Sequence, residues 1–295
     1  SEHAPNVSSL IKKLIEKYFQ PTITQVFEGD GNIASDLMTH KFDHVFFTGG
    51  EKTGKAVMEA AAKNLTPVTL ELGGKSPAII IDGANLEITA RRIIWGKSLN
   101  AGQTCIAPDH LLVEQKLYDS LINNLKKSIN DFYGNTPLNS KHLGSIINLS
   151  QFNRLKNLIT KAKNNGQIIF GGECNESEKR ISPTLIKIES REDPLMQEEL
   201  FGPLLPVLCI KTLDEAILDF KSLPKPLALY LFGGKGKEQE KILSMTSSGG
   251  VCFNDVVLQA GIPELPFGGV GASGMGKYHG KAGFDNFSHY KSILK

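Results

Sequence analysis

The side chain in this sequence best suited to nucleophilic chemistry is the thiol of Cys105. It follows the run Asn-Ala-Gly-Gln-Thr after a predicted helix, and these small and polar residues place it on a turn rather than in a core strand. A thiol on a turn, with backbone N–H groups beside it, is suited to attack a carbonyl carbon. The other cysteines differ: Cys209 and Cys252 stand in apolar runs and are predicted to be small buried hydrophobic residues, whereas Cys174 is predicted to be exposed in a polar loop.

A second interpretation of Cys105 is a cysteine–histidine hydrolase, because His110 follows it closely along the chain. His110 opens a predicted strand, however, and the catalytic partners of such enzymes meet in space rather than in sequence. The residues alone keep this alternative open without favouring it.

A carboxylate that could serve as a base stands at Glu71, where an apolar run ends and Gly73 and Gly74 follow. Burial among apolar neighbours raises the pKa of a carboxyl group, which suits a general base near neutral pH. The glycines allow the backbone to approach a ligand closely. A single glutamate before a turn is, however, more often a surface residue or a helix cap, so both interpretations stand.

Two further segments carry residue types that bind dinucleotides. Residues 46–50, Phe-Phe-Thr-Gly-Gly, form a predicted strand and glycine turn before a helix, whose N-terminus favours a phosphate. Their spacing matches neither the Gly-x-Gly-x-x-Gly fingerprint nor a P-loop, and such turns also serve only to pack a helix onto a strand. Glu199 and Phe201 offer a carboxylate for ribose hydroxyls and a ring that can pack on a nicotinamide. The alternative for this second segment is a charged surface turn.

The elements that must position these residues alternate between strand and helix. Apolar residues at helical spacing predict helices at 8–19, 33–39, 53–63, 86–99, 116–131, 151–163, 214–222 and 237–246. Short apolar runs predict strands at 23–27, 44–47, 68–70, 78–81, 110–113, 168–170, 204–210 and 228–232. Residues 133–145 and 171–182 are predicted to be exposed loops. This alternation favours the α/β class, with helices on the faces of mostly parallel sheets.

The composition is that of an ordinary globular protein. The 295 residues suffice for about two domains, 40% are hydrophobic and 22% are charged, and the net charge is +2 with both signs interspersed. No basic patch indicates nucleic-acid binding. The four cysteines lack Cys-x-x-Cys spacing, which argues against a metal site or disulfide framework and is typical of a reducing compartment, so we expect a cytoplasmic protein. No apolar run reaches the ~18–20 residues of a membrane span.

Taken together, the motifs resemble those of the aldehyde dehydrogenase superfamily in order, spacing and wording. Five segments carry this resemblance, at residues 47–55, 70–77, 102–105, 198–203 and 265–274. Residues 60–71, 91–97 and 105–109 are similar to the class three-like branch, which acts on fatty or aromatic aldehydes. The resemblance covers nearly the whole chain.

The resemblance implies an NAD(P)-dependent oxidoreductase that converts an aldehyde to a carboxylic acid. Cys105 would form a thiohemiacetal and then, after hydride transfer, a thioester, and Glu71 would activate the water that hydrolyses it. The implied cofactor is NAD, with NADP as the alternative, and no metal is implied. Its contacts would be Glu2 at the adenine ribose, Thr48, Gly49 and Gly50 at the pyrophosphate, Leu72 beside the carboxamide, Glu199 at the nicotinamide ribose and Phe201 near the ring.

The resemblance also implies a domain division. Residues 1–71 would be part of a Rossmann-like cofactor domain and residues 72–272 an α/β catalytic domain. Residues 273–295 would return toward the cofactor domain and the interface of a homodimer in the complete protein.

The sequence departs from the family pattern in ways that keep alternatives open. Glu51 stands where members usually carry threonine. The chain starts within what resembles a Lys-Pro-Ser-Glu motif, and neither the family's oxyanion asparagine nor its usual C-terminus falls within it, so we expect a fragment with weak activity of its own. An inactive fragment or non-catalytic relative is one alternative. A CoA-acylating aldehyde dehydrogenase is another, although that branch typically lacks the base that Glu71 resembles.

Overall fold

The computed structural model describes residues 1–220 and 223–295. Its α-helices are α1 (Pro5–Tyr18), α2 (Gly31–Leu37), α3 (Glu51–Ala62), α4 (Leu86–Ser98), α5 (Tyr118–Tyr133), α6 (Leu149–Asn164), α7 (Leu213–Asp219), α8 (Gly236–Met245) and α9 (Gly280–Asn286). Its β-strands are β1 (Val45–Thr48), β2 (Val68–Glu71), β3 (Pro77–Ile80), β4 (His110–Glu114), β5 (Ile168–Phe170), β6 (Cys174–Asn175), β7 (Arg180–Ile181), β8 (Thr184–Ile188), β9 (Leu204–Ile210), β10 (Ala228–Phe232), β11 (Gly250–Phe253) and β12 (Gly274–Met275).

The chain divides into two compact units. The first comprises residues 1–45 and 55–68, and the second comprises residues 46–54 and 69–295. In the first unit, α1 begins with Pro5. Proline suits this position because it has no backbone N–H, and an N–H in the first turn of a helix would have no hydrogen-bond partner within the helix. Helix α2 is capped by Asp30, whose carboxylate accepts a hydrogen bond from the backbone N–H of Asn32. The functional division at residues 71 and 272 stays a prediction.

The strand predicted at residues 23–27 is wrong. The backbone N–H groups of Ile23 and Thr24 both donate to the carbonyl of Gln20, at 2.9 and 3.1 Å, so this segment turns instead of extending. The side chains of Ile23 and Phe27 are 75% and 60% exposed. A short apolar run becomes a strand only where a neighbour takes up its backbone hydrogen bonds, and local sequence does not reveal that neighbour.

A seven-stranded sheet forms the framework of the second unit, in the order β11-β10-β3-β4-β9-β8-β5. Its neighbours are parallel except for β5, which runs antiparallel to β8. Along β4, Leu112 faces one apolar core, whereas Leu111 and Val113 face the other. Residues of α6, α7 and α8 fill the first core, and residues of α4 and α5 fill the second. The predicted α/β class, with helices on both faces of a mostly parallel sheet, is therefore confirmed.

A three-stranded sheet in the order β1-β2-β12 holds the residue predicted to be the base. Strand β12 runs antiparallel to β2, with Gly274 opposite Glu71. Gly274 has φ +138°, and a Cβ on it would lie 2.1 Å from the carbonyl oxygen of Leu70. Only glycine therefore lets β12 approach the end of β2 this closely.

Two segments differ from the predictions in detail. The loop predicted at residues 171–182 contains the short antiparallel pair β6–β7. Helix α7 ends at Asp219. Residues 221 and 222, at the end of the helix predicted at 214–222, lie outside the described residues.

In the part of the chain that the structure describes, no helix combines the length and the apolar character needed to pass through a lipid bilayer.

Candidate active site

The loop that carries Cys105 begins with an unusual backbone. Asn100, Ala101 and Gly102 follow α4 with φ values of 51°, 55° and 76°, so three consecutive residues lie in the left-handed region. This conformation costs free energy for the two non-glycine residues. At Gly102 it is also enforced by packing, because a Cβ would lie 2.3 Å from the carbonyl oxygen of Gly202.

Gln103 fixes this loop from within. Its side chain is buried, and its Nε2 donates to the carbonyls of Asn100 and Ser145 at 2.9 and 3.2 Å. Its Oε1 accepts a hydrogen bond from the backbone N–H of Ile147 at 2.9 Å. On the other side of Cys105, the hydroxyl of Tyr230 donates to the carbonyl of Ile106. The nucleophile loop, residues 100–106, is thus anchored both before and after the cysteine.

Glu71 lies at the end of β2 and is only 3% exposed. Among the described residues, neither of its carboxylate oxygens has a hydrogen-bond partner. Burial raises its pKa to about 7, an effect that the positive charge of Lys277 partly offsets. The interpretation of Glu71 as an ordinary surface residue or helix cap therefore does not fit its position.

The carboxylate of Glu199 lies directly against the backbone of Gly73. A Cβ on Gly73 would lie 2.0 Å from Glu199 Oε2, so only glycine leaves room for this carboxylate. Burial and then the negative charge of Asp109 raise the pKa of Glu199 to about 7, against the hydrogen bond that the Gly74 backbone provides. Phe201, in the same segment, has φ +46° and a side chain that is 37% exposed.

Cys105, Glu71 and Glu199 share one electrostatic environment. Burial, then the charge of Glu199, then that of Glu71 raise the pKa of the Cys105 thiol to about 11. The backbone N–H groups of Cys105 and Ile106 act in the opposite direction, because they hydrogen-bond to the sulfur. With both carboxylates ionised, the thiol therefore keeps its proton at neutral pH.

Packing contacts of glycine residues bring the predicted motifs together in the second unit. Leu72 packs on Gly54, where a Cβ would lie 2.7 Å from the leucine Cδ2. Gly268 lies beside Glu71, since a Cβ there would be 3.1 Å from Oε1. Together with the contacts of Gly73 and Gly102 described above, they join all five segments on which the sequence interpretation depends.

The ion pair between Lys75 and Asp109 ties two of these segments, residues 70–77 and 198–203, to one another. Lys75 Nζ contacts Asp109 Oδ1 and also donates to the carbonyls of Leu195 and Glu198 at 2.8 and 3.0 Å. Asp109 Oδ2 accepts from the backbone N–H of Leu200 at 2.8 Å. Although burial opposes its ionisation, the surrounding cations hold the pKa of Asp109 well below its usual value. This pair fixes the segment that carries Glu199.

The glycine turn at the end of β1 leads directly into α3, which starts at Glu51. Thr48, Gly49 and Gly50 are all exposed, and a Cβ on Gly50 would meet no atom within 4 Å. The N–H of Gly49 donates to the carbonyl of Glu71 at 3.0 Å. Gly50 can therefore offer a ligand a close backbone approach, whereas the N–H of Gly49 already has a partner.

The aldehyde dehydrogenase family model matches residues 1–293. The chain belongs to the aldehyde dehydrogenase family. It is 46% identical over 294 residues to 4,4'-diaponeurosporen-aldehyde dehydrogenase of Staphylococcus aureus (strain NCTC 8325 / PS 47), covering 100% of this chain and 64% of the relative. It is 44% identical to the dimeric NADP-preferring aldehyde dehydrogenase of Rattus norvegicus, with the same shares covered. The chain thus spans about 64% of the length of these relatives.

Solved structures give the same family. The substrate-bound state of Staphylococcus aureus AldH is similar with a TM-score of 0.94 and 45% identity, covering 100% of this chain and 65% of that one. Indole-3-acetaldehyde dehydrogenase in complex with NAD+ is similar with a TM-score of 0.81 and 28% identity, covering 90% of this chain and 55% of that one. The resemblance read from the motifs is confirmed at the level of the family.

Glu2 and His110 are the remaining candidate residues of this aldehyde dehydrogenase chain. Glu2 is exposed just before α1, in the first unit. His110 is buried, and its Nδ1 lies 3.9 Å from Asp109 Oδ1. Among the described residues, the ionisable side chains that shift the pKa of Cys105 are the two glutamates and not His110, so the hydrolase alternative gains no support.

The other three cysteines are all partly buried. Cys174 lies in β6, and the prediction of an exposed loop thiol is wrong because the β6–β7 pair partly covers it. Cys209 and Cys252 are less deeply buried than their apolar runs predicted. In each, burial is the largest cause of a raised thiol pKa. No group of three or more metal-ligating side chains occurs in residues 1–220 and 223–295.

No role is predicted from the sequence for Lys277, Tyr230 or the Lys75–Asp109 pair. Lys277 lies three residues after the segment at 265–274 that carries part of the family resemblance. Its place between Gly276 and Tyr278 is the one local signal that points to it. Tyr230 stands inside an apolar run that is indistinguishable from an ordinary buried strand.

Proposed function

We propose that this chain belongs to an enzyme that oxidises an aldehyde to a carboxylic acid with NAD+ or NADP+, in which Cys105 is the nucleophile and Glu71 is the hydrolytic base. One observation carries the proposal: a buried carboxylate with a pKa of about 7 acts electrostatically on a thiol that its own loop anchors on both sides. Membership in the aldehyde dehydrogenase family supports it further.

Cys105 would begin the reaction by adding its sulfur to the aldehyde carbon while the thiol proton passes to the carbonyl oxygen, which forms a C–S bond and a thiohemiacetal. The backbone N–H groups of Cys105 and Ile106 favour the thiolate, because they point at the sulfur. A nicotinamide held by these residues would supply the hydride acceptor. Loss of the hydride from the aldehyde-derived carbon, and of the hydroxyl proton to solvent, would leave a thioester on Cys105.

Glu71 would complete the reaction by taking a proton from water as that water attacks the thioester. With a pKa of about 7 it is partly ionised at neutral pH, which is near the optimum for a general base. Since its oxygens have no hydrogen-bond partner among the described residues, they are free to bind a water molecule. The products are the carboxylic acid and the free thiol of Cys105.

The residues near this centre fit a nicotinamide dinucleotide. Glu199 offers carboxylate oxygens to ribose hydroxyls, over a backbone that carries no side chain at Gly73. We assign the remaining contacts by family resemblance to Phe201 near the ring, Leu72 beside the carboxamide, Thr48, Gly49 and Gly50 at the pyrophosphate, and Glu2 at the adenine ribose. We propose NAD as the cofactor and NADP as the alternative, because one relative is named NADP-preferring and another was solved with NAD+.

We also propose a domain organisation, a cellular location and a substrate class for the protein. Residues 1–71 would serve cofactor binding, residues 72–272 catalysis, and residues 273–295 the return toward the cofactor domain and a homodimer interface, since one relative is named dimeric. We propose a cytoplasmic location from the unpaired cysteines. Aliphatic or aromatic aldehydes with a large apolar part are the proposed substrates, because one relative is named for a diaponeurosporen aldehyde.

The test is oxidation of octanal and benzaldehyde with NAD+ and with NADP+, followed by the absorbance of the reduced cofactor. Hydrolysis of a p-nitrophenyl ester provides a second readout that needs the thiol but no cofactor. Cys105→Ala should abolish both activities, whereas Cys252→Ala should retain them. Survival of either activity in Cys105→Ala would overturn the assignment, and turnover that requires added coenzyme A would favour the CoA-acylating alternative.

A further inference from the structure

Lys277 lies next to the proposed base without belonging to any site assigned so far. Its Nζ donates hydrogen bonds to the carbonyls of Gly249 and Gly268, at 3.0 and 2.8 Å. A Cβ on Gly268 would lie 3.1 Å from Glu71 Oε1 and 3.2 Å from the Cα of Lys277. The ammonium group, the glycine backbone and the carboxylate therefore occupy one small volume.

The backbone around Lys277 leaves it little freedom to move away. Phe267 and Tyr278 exchange both of their backbone hydrogen bonds, at 2.7 and 2.8 Å, so Gly268 and Lys277 face each other in a narrow hairpin. Gly249 packs on the same hairpin, because a Cβ there would lie 2.6 Å from the carbonyl oxygen of Gly268. Of the two carbonyls that hold the ammonium, that of Gly268 thus belongs to the hairpin beside Glu71, and that of Gly249 belongs to a residue packed on this hairpin.

The ionisable groups that face Glu71 come from two other elements. They are Lys277 and Tyr278 on the hairpin and the thiol of Cys105 on the nucleophile loop. Of these, Lys277 alone is a cation, and no ion pair is described for it among residues 1–220 and 223–295. The positive charge of this lysine acts on Glu71.

We propose that Lys277 is the positioning residue of the base: its ammonium ties the backbone of Gly249 to that of Gly268, which lies beside Glu71, and supplies the positive charge that keeps this carboxylate ready to accept a proton from water. The inference rests on the proposed role of Glu71. It makes a specific claim about charge, since a neutral side chain of similar length would fill the same space without the same effect on the base.

Loss of the Lys277 charge should shift the pH dependence of thioester hydrolysis toward higher pH. Burial raises the pKa of Glu71 and Lys277 lowers it, so removing the lysine charge raises it further. In Lys277→Met, the midpoint of the increase in thioester hydrolysis with pH should shift to a pH about one unit higher. This is within the range of pKa shifts that a neighbouring opposite charge produces. Hydrolysis at pH 6.5 should then fall by nearly tenfold, whereas the first burst of reduced cofactor should persist.

The experiment compares Lys277→Met, Lys277→Arg and the parent protein in burst amplitude and in the pH profile of steady-state turnover. Lys277→Arg should restore the parental profile because it keeps the charge. Lys281→Met is the matched control, since Lys281 is an exposed lysine of the same segment that pairs with Asp285. Lys277→Gln, which keeps a donor without the charge, replaces Lys277→Met if the latter does not fold.

A readout independent of turnover separates this inference from the proposed function. The carboxyl infrared band that Glu71→Gln removes reports directly on protonation of Glu71. If that band titrates at the same pH in the parent and the neutral variant, the inference about Lys277 is overturned. If the band shifts but Glu71→Gln leaves hydrolysis unchanged, the charge coupling stands and the role of Glu71 as base fails. Equal losses of burst and hydrolysis without a pH shift would also contradict the inference.

Discussion

The nucleophile loop and the surroundings of the two carboxylates are built in opposite ways. The loop is held by hydrogen bonds from Gln103 and Tyr230, and it takes a left-handed backbone that those bonds stabilise. Around Glu71 and Glu199, the neighbouring residues are glycines, which carry no side chain: Gly268 lies beside Glu71, and Gly73 lies beside Glu199. The proposed nucleophile is thus held in place by hydrogen bonds, whereas the carboxylates proposed to meet water and cofactor have glycine residues beside them.

This difference has an energetic meaning. A buried hydrogen bond contributes a net ~1 kcal/mol, while an unpartnered buried carboxylate costs free energy when ionised. The loop therefore stabilises the fold and Glu71 opposes it, as expected where function rather than stability selects a residue. Substitutions of the loop anchors should therefore lower the free energy of unfolding, whereas substitution of Glu71 by a neutral residue should raise it. These opposite signs allow the comparison to be tested.

The largest effect is expected for Glu71→Gln. Without a base, steady-state thioester hydrolysis should fall by ~10²–10⁴, the usual contribution of general base catalysis, while a single burst of reduced cofactor persists. Rapid-mixing absorbance measurements separate the two phases. If burst and steady state fell together, Glu71 would be positioning another group rather than activating water.

The same variant should be more stable than the parent protein at alkaline pH. The pKa of Glu71 is about 7 in the folded chain against 4.5 for an exposed carboxyl, so the folded state binds the proton more tightly. Stability contributed by the protonated form is present below pH 4.5 and is lost as the pH rises through 7. The gain in melting temperature of Glu71→Gln should thus be greatest near pH 8 and shrink toward pH 5. A gain that is independent of pH would contradict this account.

Gly73→Ala should close the space beside Glu199. The added Cβ would overlap Glu199 Oε2, which must swing away from its present position. If Glu199 binds the nicotinamide ribose, the KM for NAD+ should rise by about tenfold, the cost of one lost polar contact at ~1.4 kcal/mol. Cofactor-independent ester hydrolysis reports separately on Cys105 and should not fall, because moving the Glu199 charge away favours the thiolate. An unchanged KM for NAD+ would remove Glu199 from the cofactor site.

Much of this arrangement could be predicted from sequence, because local patterns carry it. The alternation of strands and helices predicts the α/β class, and the small residues before Cys105 predict a turn. The apolar run before Glu71 left burial as one of two interpretations, and the structure decides between them. The strand at residues 23–27 failed because its existence depended on a partner that periodicity cannot reveal. Lys277 was missed for a similar reason, since its meeting with Glu71 depends on the hairpin that returns β12 to β2.

Gln103→Ala tests the anchored side of the comparison. It removes three hydrogen bonds and leaves the N–H of Ile147 and the carbonyls of Asn100 and Ser145 without this partner. The free energy of unfolding should fall by about 2–3 kcal/mol, and alkylation of Cys105 by iodoacetamide should become less selective. Chemical denaturation measures the first effect and mass spectrometry of labelled peptides the second.

Gln103→Glu sharpens this result. A glutamate could still accept from Ile147, but its ionised form would face the Asn100 and Ser145 carbonyls without a proton to donate. Its destabilisation should therefore grow as the pH rises from 5 to 8, because burial favours the protonated carboxyl. Equal stability of Gln103→Glu and the parent at pH 8 would mean that the loop does not depend on donation by Gln103.

Tyr230→Phe should have the smallest effect, because it removes one oxygen and keeps the ring that fills the core. The hydroxyl donates to the carbonyl of Ile106 and accepts from the backbone N–H of Val257 and from Gln259 Nε2, both at 3.3 Å. Its loss should lower the free energy of unfolding by about 1–2 kcal/mol. Because Gln103 still holds the other end of the loop, acylation of Cys105 should slow by no more than a few fold. A loss of acylation as large as in Gln103→Ala would show that the loop depends equally on both anchors, whereas unchanged stability would mean that water replaces the phenol at Ile106.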